Sequence, residues 1–346
     1  MGYHRSKLDE CKRELFTRLF AKFVSRHQIK MNGLFLSLNW IPAIVEDLLG
    51  CSTFCYRKLD PTLDKRTKLF GEFTLERALC GISKAGFEFV ELASVPGMCH
   101  HVMPEHMIEK DFERLSMLLE DFGLKAMSIC GHLTLLDKDP EIERKGFELL
   151  KRRIELASRL KARIVVTRTT DPMISDVKAV FSDKDIERFY ENIKGIIDCC
   201  QKNDVVLAIE NDGGLTVTAK TALETMRRIN SKYVRINYDT ASLPFRFGLK
   251  PEDELEELMS YVVCMHLKDV RGGKGSYVFP AIGDGELNFG RIFEIVRKHD
   301  FKGPFSVETG FGKGDRMRSG SEKPEEVDEI MHKSFRYLQG YSWLLK

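Results

Sequence analysis

The sequence lacks the long apolar run that a membrane-spanning helix requires. Across its 346 residues, no apolar stretch approaches the ~18 residues of a transmembrane segment. The start of the chain also lacks the charged, then apolar, then small-residue pattern of a secretory leader. We therefore expect a cytoplasmic protein that has no membrane partner.

An excess of charge of one sign is also missing. The 54 Lys and Arg residues nearly balance the 52 Asp and Glu residues, which leaves a formal net charge of +2. A total so close to zero produces no strong field that would attract nucleic acid. We therefore predict no nucleic-acid partner, and partners have to be argued from individual sites.

Cysteine is present, but not in the pattern of a structural site. The nine Cys residues are an odd number and are scattered along the chain. Cys51 and Cys55 are too isolated to complete a four-ligand zinc site. Reduced and mostly buried thiols are what a cytoplasmic location predicts.

The chain has no low-complexity linker and no internal repeat, so we predict one main domain over residues 47–346. Residues 1–46 are basic and carry apolar side chains at helical spacing, which predicts an N-terminal helical extension. We expect the extension to pack across the main domain or against a partner subunit. A homo-oligomer is therefore left open.

What the sequence does contain is a series of apolar runs that end abruptly in a polar residue. Continuous apolar runs are typical of parallel strands that are covered on both faces. Four successive runs deliver Glu210, Asp239, His266 and Glu308 at their ends. The spacings of 29 residues from Glu210 to Asp239 and 27 from Asp239 to His266 each fit one strand-helix unit.

Strands and helices alternate over about residues 49 to 309, which predicts an α/β fold, the (β/α)₈ TIM barrel of ~250 residues. In this fold the carboxyl ends of the strands assemble the active site. Thr74 and Asn288 are expected to cap helices, and Gly86 and Gly123 to end them. The predicted strands are 49–55, 87–92, 125–130, 162–167, 205–210, 235–239, 262–266 and 304–308. The predicted helices are 74–85, 109–122, 218–229, 289–298 and 325–338, with a short acidic helix after Pro251.

Convergence of the four polar residues at one end of a barrel favours a divalent metal ion. Three carboxylates and one imidazole would repel one another and be costly to bury without a cation. Oxygen-rich ligation with one His suits Mn²⁺, Mg²⁺, Co²⁺ or Zn²⁺, of which we expect Mn²⁺. Open coordination positions for substrate oxygens would make the site catalytic. A structural network of ion pairs at the barrel rim is the alternative.

These residues resemble a known family, the xylose-isomerase-like barrels, also called the sugar phosphate isomerase/epimerase or AP-endonuclease-2 family. The resemblance covers roughly residues 48 to 340 and is specific for fold and metal site rather than for substrate. The matching motifs are the strand end at Glu210, Tyr238-Asp239-Thr240, His266-Leu267-Lys268-Asp269, 282–289 (IGDGELNF) and Val307-Glu308, with 73–79 and 86–92 resembling the first unit.

The resemblance implies that Glu210, Asp239, His266 and Glu308 bind one divalent metal and that the two Glu residues also act as acid and base. It implies an isomerase or epimerase of a sugar or keto-sugar. A carboxylate would remove the proton beside a carbonyl, and the enediolate that forms would be stabilised by the metal. Return of the proton to the opposite face inverts a stereocentre, and return to the neighbouring carbon isomerises.

Five further residues are candidates for substrate binding. Lys268 and Arg271 follow the metal-ligand candidate His266 and have the chemistry to hold a hydroxyl, carboxylate or phosphate, although an ion-pair network with Asp269 is equally consistent. The other three lie at the ends of earlier predicted strands: Glu91, His132 and Arg168.

Other functions stay open at this stage. The endonuclease IV type has extra metal ligands where this chain has Ser242, Tyr277 and Phe279, so a three-metal DNA-repair centre is incomplete and ranks last. The same substitution at Ser242 departs from the ketose 3-epimerases. A lyase that uses the same enolisation, like inosose dehydratases or 3-keto C-glycoside deglycosidases, is the main alternative. A non-catalytic assembly subunit is a further one.

Overall fold

Eight parallel strands form a closed barrel in their order along the chain. The computed structural model describes residues 48–57, 75–309 and 323–345. Strand β1 pairs with β8 as well as with β2, which closes the ring. The predicted (β/α)₈ barrel is confirmed. The strands are β1 (Leu49–Ser52), β2 (Phe89–Ala93), β3 (Lys125–Cys130), β4 (Ile164–Thr167), β5 (Val206–Glu210), β6 (Val234–Asp239), β7 (Val262–Leu267) and β8 (Phe305–Val307).

Helices follow the strands on the outside of the barrel, as right-handed βα units require. Several begin or end where the local sequence predicts: Asn288 accepts a hydrogen bond from Arg291 N at 3.0 Å, and Gly86 and Gly123 adopt φ of +113° and +63° after the helices that they end. The helices over 140–159 and 177–203 were not predicted. The helices are α1 (Leu75–Ala85), α2 (Glu109–Asp121), α3 (Pro140–Arg159), α4 (Val177–Val180), α5 (Asp183–Asn203), α6 (Ala219–Ile229), α7 (Ser242–Phe247), α8 (Glu252–Leu258), α9 (Phe289–Lys298) and α10 (Pro324–Gln339).

The alternation of side chains along each strand decides which residues enter the barrel. Val206 and Ala208 belong to a small apolar cluster built from strand residues alone, whereas Leu207 and Ile209 pack with the residues of the helices. The face that carries Val206 and Ala208 is therefore the barrel interior. Glu210 continues the same face, because every second residue of a strand points the same way.

Two details differ from what the sequence predicts, and two predictions fall on residues that the structure does not describe. The first strand ends at Ser52 rather than residue 55, because the Ser52 side chain accepts from Phe54 N at 3.3 Å and begins a 3₁₀ turn, Thr53–Tyr56. Among the described residues, seven cysteines are free and six of these are buried, but Cys80 is disulfide-bonded, so the expectation of reduced thiols is wrong there. The proposed N-terminal helical extension and the Thr74 cap lie outside the described residues. None of the helices described is long and apolar enough to cross a membrane.

Candidate metal centre and active site

Glu210, Asp239, His266 and Glu308 meet at the carboxyl end of the barrel. In the strand register Asp239 lies opposite His266, and His266 lies opposite Ser306, two residues before Glu308. None of the four residues is more than 2% exposed. The structure therefore brings together all four residues that the sequence singled out as metal ligands.

His266 lies at the centre of this group. Its Nδ1 is 3.4 Å from Oε1 of Glu210 and 3.2 Å from Oε2 of Glu308. Nδ1 of His266 and the Oε2 atoms of Glu210 and Glu308 are buried and make no hydrogen bond. Buried polar atoms without partners are costly, and these atoms converge, so they form a donor set that a cation would satisfy.

Lys268 supplies one cation to the same group. Its Nζ lies 2.7 Å from Oδ2 of Asp239 and 2.5 Å from Oε1 of Glu308. Burial lowers the pKa of Lys268, but Asp239 and Glu308 outweigh burial and raise that pKa well above its usual value. The second Asp239 oxygen accepts from Ala241 N at 2.7 Å, which fixes the carboxylate.

The acidic side chains of the cluster outnumber its basic side chains. The four carboxyl groups of Glu91, Glu210, Asp239 and Glu308 exceed the cationic groups of His266 and Lys268 by two. Burial, together with the negative charges of Asp239 and Asp212 and against the pull of His266, raises the pKa of Glu210 to about 8. The residues present fit one oxygen-rich divalent site that includes an imidazole.

Glu91, a predicted substrate-binding residue, also belongs to this cluster. Oε2 of Glu91 lies 3.1 Å from Nε2 of His266 and accepts from the Ser128 hydroxyl at 2.8 Å, while Oε1 accepts from the Ser306 hydroxyl at 3.4 Å. Although burial opposes ionisation, His266 and neighbouring hydroxyls lower the pKa of Glu91 to about 2. A carboxylate on one ring nitrogen sets the orientation and tautomer of a metal-binding His. Glu91 thus turns Nδ1 of His266 toward Glu210 and Glu308.

His132 and Arg168 also lie beside the centre, as their positions at strand ends predict. Nε2 of His132 is 3.3 Å from Oε2 of Glu210. Burial, then the charge of Arg168, lowers the pKa of His132 well below its usual value, so the ring is neutral. Arg168 lies 3.9 Å from Asp212. Asp212 in turn makes an ion pair with Arg246 of α7, which the sequence reasoning missed because a six-residue helix carries little periodicity.

Arg271 and Asp269 do not join the cluster. Arg271 is exposed and donates a hydrogen bond to the carbonyl of Asp284. Asp269 accepts four backbone N–H bonds, from Val270, Gly283, Gly285 and Leu287, at 2.9 to 3.2 Å. The ion-pair network of Lys268, Asp269 and Arg271 is therefore wrong, and Asp269 instead holds the loop that carries the 282–289 motif.

Two of the residues that stand where extra metal ligands would lie, Tyr277 and Phe279, form an aromatic patch with Phe245. The ring of Phe245 lies 4.7 Å from that of Tyr277 and 5.9 Å from that of Phe279. Nζ of Lys268 lies 5.6 Å from the centre of the Phe279 ring. Among the described residues, both sets of side chains with metal-ligand geometry include His266. The arrangement is that of a single centre.

The sequence model of the family described as xylose isomerase-like TIM barrel (AP_endonuc_2) matches residues 81–333. The chain belongs to this family. Among curated proteins it is similar to the L-ribulose-5-phosphate 3-epimerase UlaE of Shigella flexneri, with 23% identity over 248 residues, 69% of this chain and 82% of the relative. The enzyme of that name from Salmonella typhimurium is 24% identical over 243 residues, with the same two shares.

Solved structures show the same fold. A D-allulose 3-epimerase from Methylomonas sp., in complex with D-allulose, superposes with a TM-score of 0.65 and 15% identity, over 86% of this chain and 97% of that one. The 3-keto-D-glucoside 4-epimerase YcjR from E. coli superposes with a TM-score of 0.59 and 14% identity, over 86% and 98%. At such low identities these similarities establish the barrel fold but not the substrate. The substrate has to be inferred from the site.

Proposed function

We propose that this protein is a divalent-metal-dependent epimerase of a ketose or keto-sugar. The observation that carries the proposal is the buried cluster of Glu210, Asp239, His266 and Glu308, whose unpartnered atoms converge and whose carboxyl groups exceed its cations. The similarity to curated sugar-phosphate epimerases supports the same class of reaction.

Four side chains would hold the ion: Nδ1 of His266 and the carboxylates of Glu210, Asp239 and Glu308. We expect Mn²⁺, although the donor set also suits Mg²⁺, Co²⁺ and Zn²⁺. A bound divalent ion would supply a Lewis acid for the carbonyl and neighbouring hydroxyl of the substrate. Lys268, 2.7 Å from Asp239, is placed to donate to a substrate oxygen.

Glu210 and Glu308 are the proposed acid and base. Glu210 has an oxygen, Oε2, that makes no hydrogen bond, and a carboxylate in this place would remove a proton from the carbon beside a polarised carbonyl. The electron pair of that C–H bond moves toward the carbonyl oxygen. Glu308 would deliver a proton taken up from solvent to the opposite face of the same carbon, and Glu210 would release its proton to solvent. The stereocentre is then inverted and the molecular formula is conserved.

The test is solvent-deuterium incorporation. Metal-loaded protein is incubated in D₂O with ketopentoses, ketohexoses and 3-keto-glycosides, and the products are followed by NMR and mass spectrometry. We expect deuterium at the carbon beside the carbonyl, formation of the epimer, and loss of both after treatment with a chelator. Loss of water or another β-substituent from the product would assign the lyase reaction instead. Full activity of metal-free protein would contradict the proposed centre.

A further inference from the structure

A second charged group lies next to the metal cluster, on the side of strands β4 to β6. It consists of Arg168 at the end of β4, Asp212 after β5 and Arg246 on α7, and we call it the arginine arm. We propose that the arginine arm binds an anionic substituent of the substrate, a phosphate monoester or a carboxylate, at the end remote from the carbon that changes configuration. The inference rests on the proposed function and adds the substrate class to it.

Arg246 is fixed before any ligand arrives. Its guanidinium makes an ion pair with Asp212 and lies 5.6 Å from the centre of the Phe245 ring. The Arg246 side chain is only 7% exposed, and its Nε is buried without a hydrogen-bond partner. A guanidinium donates in a rigid fork that matches the oxygens of phosphate and carboxylate groups. Arg246 therefore has an unused donor and a preset orientation.

Arg168 provides the second guanidinium. Its NH1 is 3.9 Å from Oδ2 of Asp212, beyond hydrogen-bonding distance, and its side chain is 16% exposed. The arm thus contains two positively charged arginines and one negatively charged carboxylate. One of the two positive charges has no counter-charge inside the arm. A purely structural ion pair would need only Arg246, and the surplus charge points to an anionic ligand.

The loop that carries Asp212 is held rigidly against the loop after β4. Gly213 adopts φ +101°, and a Cβ there would lie 2.9 Å from the Pro172 backbone. The Thr169 hydroxyl accepts from Leu215 N at 3.0 Å, and the Thr216 hydroxyl donates to the carbonyl of Glu210 at 2.6 Å. Because the arm is preorganised, binding an oxyanion would cost little ordering of the protein.

The arm is also at a useful distance from the reacting groups. Asp212 is two residues beyond Glu210, so their Cα atoms are at most about 7 Å apart. A short sugar chain whose reacting carbon lies at Glu210 can therefore extend its far end to the two arginines. A neutral sugar would leave the arginine donors unsatisfied, and such unpaired polar groups are a strong source of discrimination between substrates.

The experiment compares kcat/KM for a ketopentose, its 5-phosphate and the corresponding keto acid, using metal-loaded protein. We expect the wild type to prefer one of the anionic substrates by on the order of 10²-fold, and the identity of that substrate separates phosphate from carboxylate. Arg246→Gln and Arg168→Gln should lose most of this preference through a higher KM for the anionic substrate, with little change in its kcat. Arg246→Lys keeps the charge beside Asp212 without the fork and should lose part of the preference.

Arg291→Gln is the matched control, because Arg291 is an exposed arginine paired with Glu294 on α9 and should keep the wild-type preference. A measurement independent of turnover is the shift in melting temperature that inorganic phosphate and glycerol phosphate produce. We expect a shift for the wild type and Arg291→Gln that is smaller in Arg246→Gln.

The two proposals fail separately. The arginine arm would be contradicted if the protein epimerised neutral ketoses as well as anionic ones, or if a preference for anionic substrates survived Arg246→Gln and Arg168→Gln. Either result would still support the epimerase. If the protein bound anions through Arg246 but exchanged no substrate proton, the proposed arginine arm would be supported and the proposed epimerase activity would be contradicted.

Discussion

Glu91 and Glu210 lie on two sides of one imidazole and are equally buried, but they differ in their protonation. The pKa of Glu91 falls to about 2, whereas that of Glu210 rises to about 8. Burial raises both, so the difference comes from their partners. Glu91 has the hydroxyls of Ser128 and Ser306 as well as Nε2 of His266. Glu210 has the negative charges of Asp239 and Asp212 nearby and an Oε2 that makes no hydrogen bond.

The comparison separates two roles that residue type does not distinguish. A carboxylate whose oxygens are already satisfied serves to hold another side chain in place. A carboxylate with a free oxygen and a raised pKa retains the capacity to bind an ion or take a proton. The β2 side of the site therefore positions His266, and the β5 side is where we place the chemistry.

The largest expected effect is on turnover, from Glu210→Gln in metal-saturated protein. The amide keeps the size and one oxygen but cannot take the proton, so kcat should fall by ~10² to 10⁴. Solvent-deuterium exchange measures this directly. Glu294→Gln, an exposed Glu of α9 that pairs with Arg291, should behave like the wild type. Exchange near the wild-type rate would reduce Glu210 to a ligand.

Glu91→Gln should act on metal affinity instead. Loss of the carboxylate that orients a metal-binding His typically weakens affinity by ~10- to 100-fold. At saturating metal kcat should recover to near the wild-type value, which Glu210→Gln should not do. Titration of the apoprotein with Mn²⁺ by calorimetry gives the affinity. A kcat that stays low at saturating metal would place Glu91 among the reacting groups and remove the contrast.

The third prediction concerns pH. Burial lowers the pKa of His266, but Glu91 and Glu210 outweigh burial and raise it well above its usual value, so the metal-free ring is protonated near neutrality. Glu210, with a pKa of about 8, is largely protonated there too. Ligands must lose their protons to bind a metal, so the affinity for the metal should rise with pH and fall as pH falls. The expected change is about tenfold per pH unit for each proton released.

Calorimetry in two buffers of different ionisation enthalpy counts the protons released. In Glu91→Gln the pH dependence should move to lower pH, because one of the charges that hold the proton on His266 is gone. Metal affinity that does not change with pH would show that His266 and Glu210 are already deprotonated in the metal-free protein.

The smallest expected effect is a difference in stability between two variants, one in the loop after β5 and one in the loop after β2. Gly214, after β5, has φ +65°, and a Cβ there would collide with the Thr169 hydroxyl, whereas Gly97, after β2, has φ +77° and nothing within 4 Å. Both Gly→Ala changes meet the strain of a left-handed backbone, roughly 1 kcal/mol. Gly214→Ala should cost about 1–3 kcal/mol more through overpacking. Urea denaturation measures the difference, and equal losses would mean that the β5 loop is no more rigid than the β2 loop.

Much of the architecture could be read from local patterns. Glu210, Asp239, His266 and Glu308 were found because each ends an apolar run, and in a parallel barrel all strand ends of one polarity meet at one rim. Helix ends such as Gly86, Gly123 and Asn288 follow from backbone conformation and capping, which are decided within a few residues. Glu91 has the same signal as Glu210, and the pattern could not tell their roles apart.

The sequence by itself determined the barrel and the composition of its polar rim, because alternation along a strand and the one-way order of βα units are local rules. Only the tertiary structure decided which side chains face one another across the rim. His266 contacts Glu91 over a separation of 175 residues. Arg246, on a helix too short to show a clear period, contacts Asp212, and Arg271, five residues after His266, donates to the carbonyl of Asp284. These contacts depend on the closure of the barrel and on the paths of its loops, and neither of these is encoded in the spacing of residues along the chain.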